Sequence, residues 1–169
     1  MKHLLLLLST VLMANTALLA GPSEFWPLKP ADQEELEAQR LRVYKTAEDR
    51  YGIKKFSGTK SDLYIIQTMI NDKVFVEGNK LNQQALGVVF GDILANELGL
   101  KWVMVRDQYG TDPTLRLEGT NYQFNALTMI SKRMGQKKKQ VNVMKLYEDI
   151  SRYVKKIKAA EEKKKASEA

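Results

Sequence analysis

Four acids, Asp92, Glu97, Asp107 and Asp112, fall in one short stretch, LGVVFGDILANELGLKWVMVRDQYGTD, together with Gly87, Gly91, Gly99, Gly110 and Trp102. Paired carboxylates are the working groups of glycoside hydrolysis, where the two carboxyls stand roughly 5 to 9.5 Å apart. Asp92, Asp107 and Asp112 are the candidates for such chemistry, acting on glycans of a bacterial envelope. Asp92 and Glu97 lie five residues apart, so one helix does not stack them on the same face. Asp107 and Asp112 flank a Tyr-Gly turn, where aspartate also serves local hydrogen bonding. DQYGTD lacks the alternating oxygen ligands and distal glutamate of a calcium loop.

The glycines admit two readings. A phosphate loop needs glycines between a strand and the start of a helix. Gly87 and Gly91 instead lie four apart inside an apolar helical period, and GVVFGD does not run on to Gly-Lys-Ser/Thr. Two glycines on one helix face let another backbone come close. Each costs about 1 kcal/mol of helix propensity relative to alanine, so close packing has to compensate. Trp102 reads as part of that packing.

The missing residue types narrow the chemistry further. There is no cysteine, and the single histidine is His3. The first twenty residues read as a secretory signal: Lys2, an apolar core over Leu4–Leu8 and Val11–Met13, and a small residue at Ala20. LLAGP has the look of a lipoprotein box with Pro22 in place of the lipid-bearing cysteine. Cleavage before Gly21 would leave a chain with neither His nor Cys. That excludes Ser-His-Asp and Cys-His catalysis and zinc held by nitrogen or sulfur. No cofactor or metal site is expected, and the chain reads as non-enzymatic, periplasmic or secreted, from a Gram-negative bacterium.

The elements that must position these residues follow from periodicity. An arm over 21–30 precedes the domain, with Phe25 and Trp26 draped on a core edge. Asp32 and Glu35 have capping-box spacing and open a first helix that Gly52 stops after Tyr51. Ser61 caps a second helix carrying Leu63, Ile66, Met69 and Ile70. Asn82 caps a third, with Leu86, Val89, Phe90, Ile93, Leu94 and Leu98 inward, ended by Gly99. Trp102–Val105 reads as a buried strand, QYGTDP as a turn, and TLRLEG as a second strand with Leu115 and Leu117 on one face. FNALTMISKRM is expected to be a third strand, and GQKKKQ a loop. Val143, Leu146, Ile150, Tyr153, Val154 and Ile157 mark a closing helix. The fold class is therefore α+β: three N-terminal helices, a three-stranded antiparallel meander and a C-terminal helix, one domain over 31–158.

Charge is unevenly placed. Residues 132–169 carry thirteen Lys and Arg against five acids, while 21–131 carry thirteen against fifteen. The segment 159–169 has no large apolar residue and is expected to be a flexible basic tail. It suits weak contact with an anionic surface, at about 1 kcal/mol per cation. Nucleic acid is not expected, because no aromatics interleave the lysines. Arg106, Asp107, Tyr109 and Arg116 are the candidate binding residues, grouped at one end of the hairpin for an envelope protein partner; arginine and tyrosine are favoured at interfaces.

Leu86-Gly87, Gly91-Asp92, Gly99, Trp102, Asp107, Gly110 and Leu115, followed by the expected strand over Thr128–Arg133, resemble the bacterial domain of unknown function 3806 family, over about residues 60 to 150. The resemblance implies a small bacterial α+β module. It implies no activity, substrate or catalytic residue.

Overall fold

A computed structural model describes residues 23–75, 80–134 and 141–168. The signal segment and the GQKKKQ loop lie outside the described residues. The chain is α+β. Strand β1 (Glu24–Pro27) leads into helix α1 (Pro30–Tyr51), and a 3-10 turn (Lys60–Asp62) into α2 (Leu63–Asn71). Helix α3 (Lys80–Leu98) feeds strands β2 (Leu100–Asp107), β3 (Gly110–Leu117) and β4 (Gln123–Phe124). Short helices α4 (Ala126–Met129) and α5 (Ser131–Met134) precede the long α6 (Val143–Glu168).

The antiparallel sheet runs β1-β2-β3-β4. It has four strands where the periodicity predicts three, and two segments account for the difference. The expected arm contains an edge strand, with Glu24 opposite Arg106 and Pro27 opposite Val103. Its prolines disguise it, but proline is tolerated at a sheet edge. Of the expected strand FNALTMISKRM only Phe124, the end of β4, is extended, and short helices follow. Ala126, Leu127 and Ile130 are the buried positions. Their spacing is a helical turn, not an alternation.

Three expected caps also shift. Pro30 takes the first position of α1, where a missing N–H costs nothing. Asp32 lies one turn inside and accepts the Lys29 amide at 2.8 Å. Ser61 joins Ser57 and Thr59 in a hydroxyl cluster instead of capping α2. In the same loop Asp62 accepts the Gly58 amide at 2.7 Å. Helix α3 starts before Asn82, whose Oδ1 accepts Arg42 Nη1 at 3.0 Å.

The helix stops are where the glycines put them. Gly52 and Gly99 both take φ of +67°. The end of α3 is closed a second time by Lys158 of α6, whose Nζ donates to the Leu98 carbonyl at 2.9 Å. Gly99→Ala forces an L side chain into the left-handed region. It should cost about 1–2 kcal/mol, read as a lowered thermal midpoint with an unchanged circular dichroism spectrum.

The core joins α1, α2, α3 and α6 to the sheet through Val43, Ile66, Phe90, Leu94, Leu115 and Val154. A second small cluster of Leu36, Val88 and Leu127 meets it across Trp102. The tail is expected to lose its structure, yet α6 runs on to Glu168. Alanine, glutamate and lysine are strong helix formers, and α6 continues through them after its last buried residue, Ile157.

Candidate functional site

The β2–β3 turn builds one wall of a cleft. Asp107 and Gly110 close the hairpin around Gln108 and Tyr109. Asp107 Oδ1 accepts the Tyr109 amide at 2.8 Å, and Gly110 takes φ of +135°. The turn is thereby pinned, and Tyr109 stands 85% exposed at its tip. The opposite wall is helical: Gln84 from α3, Leu127 and Thr128 from α4, and Lys132 from α5. Thr114 Oγ1 donates to Asn125 Oδ1 at 2.9 Å, tying β3 to the start of α4. The cleft holds about 450 Å³. Buried Val105 and Leu127 with half-buried Pro113 give it an apolar part on both walls. Asp107, Asp112, Asn125 and Lys132 supply acceptors and donors around it.

Of the four predicted binding residues, Asp107 and Tyr109 line this cleft. Arg106 and Arg116 are not among its lining residues and hold β1 instead. The Arg106 guanidinium lies 5.5 Å from the centre of the Trp26 ring, and Nη1 is 3.7 Å from Glu24. The Arg116 guanidinium lies 4.1 Å over the Phe25 ring, and Nε donates to the Thr120 carbonyl at 2.6 Å. Arg106 is next to the turn, but alternation points it to the opposite face from its neighbours Val105 and Asp107, which line the cleft. Arg116 lies six residues beyond Gly110 on β3, about 20 Å at strand spacing.

The acids divide in the same way. Asp107 and Asp112 share the cleft; Asp92 does not line it. Asp92 takes both nitrogens of a bidentate pair with Arg40, Nε to Oδ2 at 2.6 Å and Nη2 to Oδ1 at 2.9 Å. Trp102 Nε1 donates to the same Oδ1 at 2.9 Å. The hydrogen bonds that Arg40 donates to Asp92 raise the Arg40 pKa above its already high ordinary value. Glu97 stands apart, accepting the Lys60 amide at 3.0 Å. Sequence reasoning missed Arg40. Its only trace is a position beside the buried stripe of α1, one residue past Gln39 and three before Val43. Among the described residues, no group of three or more His, Cys, Asp or Glu is placed to hold a metal ion.

The two helix glycines are a packing seam, as their spacing suggests. A Cβ on Gly91 would meet Trp102 Cζ2 at 2.4 Å and Ala126 Cβ at 2.9 Å. A Cβ on Gly87 would meet the carbonyl oxygens of Leu127 at 2.4 Å and Ala126 at 2.6 Å. The seam therefore sets the sheet and α4 against α3, and these carry the cleft.

Residues 62–147 match the family described as Domain of unknown function (DUF3806). None of the curated proteins matches the chain. A crystal structure of a protein from Bacteroides thetaiotaomicron at 1.50 Å resolution is similar, with a TM-score of 0.67 and 21% identity. The match covers 78% of this chain and 48% of that one, so this chain spans about half the length of its structural relative. At that identity the likeness is one of fold alone.

Proposed function

We propose that this chain, which belongs to the DUF3806 family, is a non-enzymatic binding module of the bacterial envelope that takes a protein segment at the hairpin-end cleft. The observation that carries the reading is the cleft itself: apolar Val105, Pro113 and Leu127 beside hydrogen-bonding Asp107, Asp112, Asn125 and Lys132, under an exposed Tyr109. An apolar pocket with a few convergent polar groups is the usual form of a binding site. A tyrosine beside it supplies large contact area at low entropic cost. The matching partner presents an apolar side chain next to hydrogen-bond donors or a cation for the two acids. The signal-like N-terminus supports an envelope location.

The test is recovery of a partner from the cell's own envelope at moderate salt, with the tagged protein and its variants. Tyr109→Ala with Asp112→Ala should weaken a stoichiometric partner by tenfold or more, about 1.4 kcal/mol, while circular dichroism stays unchanged. Both side chains are exposed. Undiminished affinity in that double variant ends the cleft assignment.

One observation favours a second reading. Asp107 and Asp112 line the same cleft, as a carboxylate pair acting on envelope glycan would require. Release of reducing sugar from envelope glycan that is lost in Asp112→Asn and kept in Tyr109→Ala would select hydrolysis over binding.

A further inference from the structure

The last turns of α6 carry an acid-free face that neither the core nor the cleft uses, with Lys155, Lys158 and Lys165 on the other sides of the helix. Ile157 is the final buried residue of this helix, which continues to Glu168. At about 100° per residue, Arg152, Tyr153, Lys156, Ala160, Lys163, Lys164 and Ser167 fall within one sector. All of these are exposed. From Arg152 onward the acids Glu161, Glu162 and Glu168 fall outside it. The sector runs about 22 Å along the helix.

The cations of this helix are not equivalent. Arg152 is paired with Asp149, and Lys158 is committed to the Leu98 carbonyl. Lys155, Lys156, Lys163, Lys164 and Lys165 have no carboxylate partner among the described residues, and of these Lys156, Lys163 and Lys164 lie in the sector. At the root of the sector, half-exposed Tyr153 makes edge contacts with Tyr122, centroids 6.4 Å apart, and with Phe124, at 6.1 Å.

We propose that this face of α6 docks the domain on an anionic lipid surface, with Lys156, Lys163 and Lys164 against headgroup phosphates and Tyr153 and Tyr122 at the interface. Three arguments select a lipid surface. The sector is a straight convex helix face, suited to diffuse charge spread over a plane. Its cations are lysines, point charges that need no fixed bidentate geometry. The tyrosine pair has the amphipathic character that favours a membrane–water interface. Beyond Ile157 the only apolar residues are alanines, so the contact is electrostatic adsorption without insertion.

The test is co-sedimentation of the full chain with vesicles of phosphatidylcholine and phosphatidylglycerol, against phosphatidylcholine alone. Binding should require the anionic lipid and fall with added salt. Lys156→Gln, Lys163→Gln and Lys164→Gln together should lower the partition coefficient about a hundredfold, given about fivefold for each lysine. The matching triple Lys→Arg variant should retain it. All three positions are exposed, and equal thermal midpoints will show that both variants are folded. Equal binding to neutral vesicles, or a triple Lys→Gln variant that binds as the parent does, overturns the proposal. So does failure to bind anionic vesicles by a chain that binds dextran sulfate, which would assign the face to a soluble polyanion.

Discussion

Gly87→Ala should destabilise the domain by roughly 2–3 kcal/mol, the upper part of the range for overpacking. In an ordinary helix the same change gains about 1 kcal/mol, because alanine is the better helix former. The sign is reversed here by what faces the glycine. The new methyl would lie 2.4 Å from the Leu127 carbonyl oxygen and 2.6 Å from that of Ala126. Both are backbone atoms, so no rotamer change relieves the clash; α4 has to move as a unit. Gly91→Ala meets a side chain instead, the Trp102 ring at 2.4 Å. Trp102→Phe should therefore rescue part of the Gly91→Ala loss and none of the Gly87→Ala loss, a non-additivity expected of residues in contact. Urea unfolding midpoints of the three single variants, Trp102→Phe among them, and the two double variants read this directly. A Gly87→Ala protein as stable as the parent would mean that α4 does not lie against α3 as described.

The second large effect is at Asp92. Asp92→Ala should cost about 3 kcal/mol, the lower end of the range for breaking a buried ion pair. The lower end applies because the Arg40 and Asp92 side chains remain 20% and 18% exposed. The loss comes less from the missing attraction than from what is stranded. The Arg40 guanidinium loses both of its Asp92 contacts, and the Trp102 indole N–H loses its acceptor. Replacing Arg40 by leucine together with Asp92→Asn removes the cation and keeps an acceptor for Trp102. That double variant should be more stable than Asp92→Ala alone. Unfolding in urea distinguishes the outcomes: a cost below about 0.5 kcal/mol for Asp92→Ala would put the pair with surface ion pairs.

These two sites also show where the sequence is readable and where it is not. Gly87 and Gly91 are legible because a four-residue spacing within an apolar period has one geometric meaning. Gly52 and Gly99 end helices for a local reason, and the Asp107–Gly110 turn is equally local. Arg40 is not legible as the partner of Asp92, because nothing local links residues fifty-two apart. Strand β1 is hidden for the same reason: EFWP has no alternation long enough to read, and its partner is remote. The short helices after Phe124 were obscured by their length, since four residues give a period little room to declare itself. For the cleft, the turn brought Asp107 and Tyr109 together on sequence grounds alone. Gln84, Asn125 and Lys132 come from elements whose packing only the fold supplies. Arg106 and Arg116 read as hairpin-end residues because their aromatic partners, Trp26 and Phe25, are on the hidden strand β1.

The pairing of β1 also bears on the order of assembly. The β2–β3 hairpin closes over two residues and can form as soon as it is synthesised. Glu24 must wait for Arg106, about eighty residues later, and closing so long a loop is slow as well as entropically costly. Strand β1, the earliest in sequence among the described residues, is thus a late one to find its place. Until then, Phe25 and Trp26 are without Arg116 and Arg106, and the outer edge of β2 is open to any extended chain nearby. A nascent chain in that condition is at its most vulnerable to mispairing.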